Sequence, residues 1–160
     1  METPKQASWM GKYTISKAYH SFIPQYPKVT WKTLYLTQGM FPGHQFIVWM
    51  ALHRRLATVD RLIKWGIPVP AECVLCMTNE EEAYDHLFFE CSYSKFIWKQ
   101  ILRLFGIDRQ VGRWREAIEW MAKKTKSRNT KWKILGNAFA ETVYHTWMER
   151  NLRRSQQIRK

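Results

Sequence analysis

Three cysteines and one histidine stand in a single short stretch, Cys73-x2-Cys76-x9-His86-x4-Cys91, and these are all the cysteines in the chain. The spacing suits a tetrahedral Cys3His zinc site. Thiolate and imidazole are ligands zinc prefers, and a Cys-x2-Cys turn offers two sulfurs to one ion without straining the backbone. Three thiolates and a neutral imidazole fill the tetrahedron, so no position is left for a substrate water and the predicted role of the one Zn2+ is structural. An odd number of cysteines argues against a disulfide framework. The other reading of the same residues is buried thiols and a core histidine at accidental spacing. His53 is the reserve ligand; His20, His44 and His145 have no ligand-spaced neighbour.

A chain of 160 residues has room for one domain around one core. Residues 1–40 read as a short strand and helix segment, 41–105 as a zinc-binding helical core, and 106–160 as basic helices, all within one compact domain. Apolar residues are 46% of the chain and aromatics 15%, enough to bury a core and to exclude a disordered tail. The longest apolar run, Phe46 to Leu52, is far short of the ~20 residues that cross a bilayer, and Met1 to Lys12 holds no secretory core. A soluble intracellular protein with no membrane partner is expected, and the basic run suggests nuclear residence.

All six prolines lie at or before Pro70, which leaves the second half free to be helical. An extended piece is predicted over Lys12 to Ile15, then a helix from Ser16 to Phe22 stopped by Pro24 and Pro27, and a short helix over Trp31 to Leu36. Phe46, Trp49, Met50 and Leu56 recur at helical spacing, with His53, Arg54 and Arg55 at the end where the dipole favours cations. Thr58 reads as the N-cap of a helix with an apolar face of Leu62, Ile63 and Trp65, ended by Gly66. Phe96, Ile97, Ile101, Leu104 and Phe105, flanked by Trp98 and Leu102, predict a helix from Ser92 to Gly106. Trp114, Ile118 and Met121 predict another. Trp132, Leu135, Phe139, Val143 and Trp147 step by three and four through a long terminal helix to about Leu152. The fold class is mostly α: a small helical domain organised around one zinc.

Charge is unevenly placed. Residues 1–91 carry nine basic and eight acidic side chains, residues 92–160 seventeen and five. Within the first part, Ile67 to Cys91 holds no Lys or Arg but six carboxylates, and its run Glu80 to Glu82 reads as a hydrated turn. The basic half suggests a polyanionic partner, RNA or DNA held nonspecifically by Arg113, Arg115, Lys123, Lys124, Lys126, Arg128, Lys131, Lys133, Arg153 and Arg154. Interleaved Trp114, Trp120 and Trp132 offer stacking surfaces, with core packing as the alternative. A search for catalytic signatures is negative: no Gly-x-Ser-x-Gly, phosphate-cradling Gly loop, His-Glu-x-x-His or paired-aspartate motif occurs, so no enzyme is expected. The competing expectation is a structural module that packs against a polymerase or other protein, with incidental nucleic-acid affinity.

The stretch Phe41 to Gly66, followed by Cys73-Val-Leu-Cys76 and by Asp85-His-Leu-Phe-Phe-Glu-Cys91 to Trp98, resembles the plant reverse-transcriptase zinc-binding domain family. Members lie downstream of the polymerase in LINE-type non-LTR retrotransposons and also stand alone. The resemblance runs from Gly11 to Phe105 and, more loosely, through Tyr144 to Asn151. It implies zinc held by Cys73, Cys76, His86 and Cys91 and an ancestral role beside the element's RNA or target DNA. The Cys-x2-Cys and His-x4-Cys halves also resemble a retroviral zinc knuckle. Here the middle gap is longer and acidic, which argues against knuckle-like base contact by residues 77–85. No reverse-transcriptase catalytic segment is present, and no Pro is followed by Asp as in the endonucleases of some other elements.

Overall fold

A computed structural model describes residues 15–24, 29–36, 39–76 and 78–158. Seven α-helices follow one another among them: α1 (Ile15–Phe22), α2 (Lys32–Tyr35), α3 (Pro42–Leu52), α4 (Val59–Lys64), α5 (Ser92–Leu104), α6 (Trp114–Lys124) and α7 (Thr130–Ile158). A π-helical turn, His86–Glu90, precedes α5. The described residues contain no strand beyond an isolated antiparallel bridge between Glu72 and Glu81, so the fold is mostly helical as expected. The extended segment predicted from Lys12 lies outside the described residues except for Ile15, which opens α1. Among the described residues no helix is long and apolar enough to cross a membrane.

Helix boundaries follow local chemistry. α3 begins four residues earlier than its apolar periodicity suggests, because Pro42 occupies the first turn, where a missing N–H costs nothing. It also ends earlier, at Leu52, leaving Arg54, Arg55 and Leu56 outside. Gly66 and Gly106, at φ +75° and +62°, end α4 and α5 in the same way. Each donates its N–H to the carbonyl three residues back, and Ile67 and Ile107 reach five back, the paired bonds of a Schellman cap. Arg54 closes α3 with this geometry at φ +54°, unusual for a residue with a side chain. Its guanidinium pairs with Asp85 and lies 5.0 Å over the Tyr84 ring, contacts that hold it there.

α7 is the axis of the packing. At about 43 Å for its 29 residues it is long enough to touch α2, α3, α5 and the π turn. Leu135, Phe139 and Val143 form its buried stripe. Phe139 lies 5.5 Å from Phe89 and 5.3 Å from Trp98, while Trp114 stacks on Phe89 at 5.7 Å and packs on Phe88 at 4.9 Å. Trp114 is therefore core and is removed from the stacking surface. On α5 the buried stripe is Ser94, Trp98 and Leu102; Phe96 and Leu104, expected on the apolar face, are exposed. Similarly Ile63 and Trp65 of the α4 region are exposed, and Val59 is the residue that α4 buries. Where a helix carries two apolar stripes, periodicity does not choose between them. On α5, Phe89 of the π turn and Phe139 of α7 do.

Candidate metal centre

Local backbone geometry gathers the four ligand residues. Cys73 donates its N–H to the Glu80 carbonyl and Glu82 donates to Ala71, so residues 71–73 and 80–82 run back along each other, with Asn79 at φ +51° before the return, as the two sides of one loop. Cys73 and Cys76 lie on that loop. His86 and Cys91 are five residues apart, and the Cys91 N–H bonds the His86 carbonyl at 2.6 Å, the i to i+5 bond that defines a π turn. An α-helical turn would align residues three or four apart; the wider turn places the fifth beside the first.

All four side chains are buried, and one ligand atom from each lies within 4.8 Å of the others. Cys73 Sγ and Cys91 Sγ are 3.9 Å apart, and Cys76 Sγ is 3.3 Å from His86 Nε2. Two sulfurs bound tetrahedrally at ~2.3 Å from zinc would be about 3.8 Å apart, so the Cys73–Cys91 pair already has the spacing the ion requires. The surroundings also match a metal site. His86 Nδ1 is 2.9 Å from Glu80 Oε2, the carboxylate contact that fixes Nε2 as the ligating nitrogen. Thr78 Oγ1 donates to Cys76 Sγ at 3.1 Å. Without metal, the hydrogen bond from the Cys91 thiol holds Cys73 down to about 5. The same bond and burial push Cys91 well above the usual thiol range. His53, the reserve ligand, is exposed and packs on Trp31 and Trp49 at 5.0 and 4.7 Å, away from this cluster.

The loop is clamped from outside by the end of α7. Glu82, expected in a hydrated turn, is fully buried instead. Arg150 donates to it from Nε at 2.9 and 3.0 Å and from Nη2 at 2.6 Å, Arg154 Nη2 donates at 2.9 Å, and the Val59 N–H adds a contact at 3.2 Å. Arg154 also donates to the carbonyls of Pro70 and Glu72, both at 3.0 Å. Arg153 bonds Glu149 at 2.7 Å and lies 5.2 Å over the Tyr93 ring. Arg154 is thus corrected from an expected nucleic-acid contact to a buried clamp; Arg153 is half-buried beside it. Sequence reasoning missed the pairing of Glu82 with Arg150, because a triple-Glu run and an arginine in a basic stretch carry no local sign of burial.

The remaining basic residues separate into two groups. Arg113 and Arg115 are exposed but paired, with Glu90 at 3.3 Å and Glu119 at 3.0 Å. Lys123, Lys124, Lys126, Arg128, Lys131 and Lys133 lie around the turn joining α6 to α7, and none forms an ion pair with a carboxylate among the described residues. Trp120 and Trp132 are half-buried there, edge to face at 6.1 Å, with Lys124 and Lys131 4.8 and 5.7 Å over Trp132.

Buried thiolate and imidazole ligands closed around one point define a zinc-binding protein. The family model described as zinc-binding in reverse transcriptase matches residues 13–98, more than half of the chain and including all four ligand candidates. The chain belongs to that family, and its cofactor is one Zn2+. Comparison with curated proteins and with solved structures finds no match.

Proposed function

We propose that this is a non-catalytic domain of retrotransposon origin that binds RNA or DNA through the α6–α7 hairpin. In this reading Cys73, Cys76, His86 and Cys91 hold a structural zinc, and four protein ligands leave the ion no open coordination position for chemistry. The observation that carries the reading is the hairpin: six cations in residues 123–133, no carboxylate among them, and no acidic partner nearby among the described residues. Cations with no carboxylate partner favour an external polyanion. Nuclear residence is consistent with such a partner.

Filter binding of zinc-loaded protein to single-stranded RNA, single-stranded DNA and duplex, titrated with salt, tests it. Contact with about six phosphates gives a log–log salt slope of roughly −4 to −5. Charge reversal of Lys123, Lys124, Lys126 and Arg128 should abolish retention; salt-insensitive binding, or none, overturns the reading. A second reading, a module that packs against a polymerase or another protein, is favoured by α1, whose Ile15 and Phe22 are each 86% exposed. In that case charge reversal spares partner capture.

A further inference from the structure

A cavity of about 390 Å³ lies between α5 and the connection to α6, lined by Lys95, Lys99, Asp108, Arg109, Gln110 and Val111. Lys95 and Lys99 are four apart on α5, exposed on one helical face, and neither forms an ion pair among the described residues. The Arg109 guanidinium lies 4.5 Å over the Trp120 ring, and its Nη1 is buried with no hydrogen-bond acceptor. Asp108 is the one carboxylate in the lining and joins no ion pair among the described residues, so the three cations exceed it by two charges.

We propose that Lys95, Lys99 and Arg109 form a second phosphate site, which takes a backbone phosphodiester of a single strand continuing from the hairpin. The proposal rests on the nucleic-acid reading above and adds residues outside its surface. Three features support it. Stacking on Trp120 fixes the plane of the Arg109 fork in advance, so little freedom is lost when the fork meets two phosphate oxygens. The cavity joins the hairpin through an unbroken series of ring contacts: Arg109 to Trp120, Trp120 to Trp132, Trp132 to Lys124 and Lys131. Aromatic rings between two cationic groups suit unpaired bases, whereas a duplex keeps its base faces stacked within itself.

The test is a salt titration of zinc-loaded protein with a single-stranded oligouridylate long enough to span both sites, and with a duplex of equal length. Lys95→Gln/Lys99→Gln alters only exposed side chains. It should lower the slope by about 0.7 for each phosphate that the variant no longer neutralises. Its effect should add to that of Lys126→Gln/Arg128→Gln. Arg109→Lys keeps the charge but not the fork, and should weaken binding while the slope holds. If wild-type protein binds the oligouridylate and Lys95→Gln/Lys99→Gln leaves slope and affinity unchanged, the second site is refuted and the hairpin reading stands. If wild-type protein binds neither probe, the hairpin reading falls and the site with it. An equal drop in duplex and single-strand binding in the double variant refutes the single-strand assignment.

Discussion

Replacing Glu82 by Gln conserves volume and removes one charge from a place that holds three. Arg150 and Arg154 would remain buried at 4% and 8% exposure with no anion between them. The Coulombic gain of a buried pair is largely offset by the desolvation of its members, so the intact cluster adds little net stability. Breaking it is a different matter, because the surviving charges stay desolvated without their counterion; the cost of that runs at about 3–5 kcal/mol. For a chain of this length, where 1 kcal/mol moves the melting temperature by ~2–4 °C, a fall of about 10 °C is expected.

The assay is thermal unfolding of zinc-loaded protein followed by circular dichroism, with Glu149→Gln as the control. Glu149 pairs with Arg153 at a similar distance, 2.7 Å, but both side chains are about one-third exposed. Water solvates what that substitution leaves behind, so its cost should stay within ~1 kcal/mol. The contrast isolates burial from pairing. If Glu82→Gln costs no more than Glu149→Gln, the clamp on the zinc loop does not exist as described.

Metal removal is the next test. Structural zinc contributes on the order of 10–16 kcal/mol of apparent binding free energy, against a net domain stability of ~5–15, so a chelator or Cys73→Ser should unfold at least the loop and π turn. Metal analysis should give one zinc per folded chain, and Glu80→Gln should cost roughly 10–100-fold in zinc affinity by loosening His86. Tyr84 supplies a pH test: burial raises its phenol well above the ordinary range, and its hydroxyl donates to the Ala51 carbonyl. Below pH ~10 the phenol is protonated folded and unfolded alike and its ionisation changes nothing. Above that the unfolded chain loses the proton first, so stability should fall by up to ~1.4 kcal/mol per pH unit, and Tyr84→Phe should flatten that alkaline limb in urea titrations.

The zinc ligands were legible because their geometry is local: a short turn for Cys73 and Cys76, and a five-residue step for His86 and Cys91 that a π turn satisfies. The order of the helices was legible for the same reason, from periodicity, proline placement and the glycines at positions 66 and 106. Long-range choices were not. Glu82 meets Arg150 and Arg154 across 68 and 72 residues of chain, and nothing in a run of three glutamates marks which one turns inward. On α5, Phe96 and Leu104 are as apolar as Trp98 and Leu102, and only the positions of Phe89 and Phe139 determine which stripe is covered. Composition reads the rear of the chain as uniformly cationic, yet the three arginines of residues 150–154 are engaged internally: Arg150 and Arg154 with Glu82, and Arg153 with Tyr93 and Glu149.

That engagement separates two roles along a single helix. The zinc loop is held by residues 150–154 of α7, whereas the unpaired cations begin at its other end, about 30 Å away at 1.5 Å per residue from Thr130 to Arg150. Exposed charges that far apart are screened, since the Debye length at physiological salt is ~8 Å. If the hairpin binds a polyanion as proposed, the metal centre at the far end of α7 should influence that binding through the fold rather than through its charge. Charge reversal at Lys123, Lys126 and Arg128, all exposed, should accordingly leave one zinc per chain and alter stability by no more than ~0.5 kcal/mol at each position, as exposed substitutions usually do. A reversed variant that lost its zinc would show that hairpin and metal centre are coupled through α7, and the division of roles would fail.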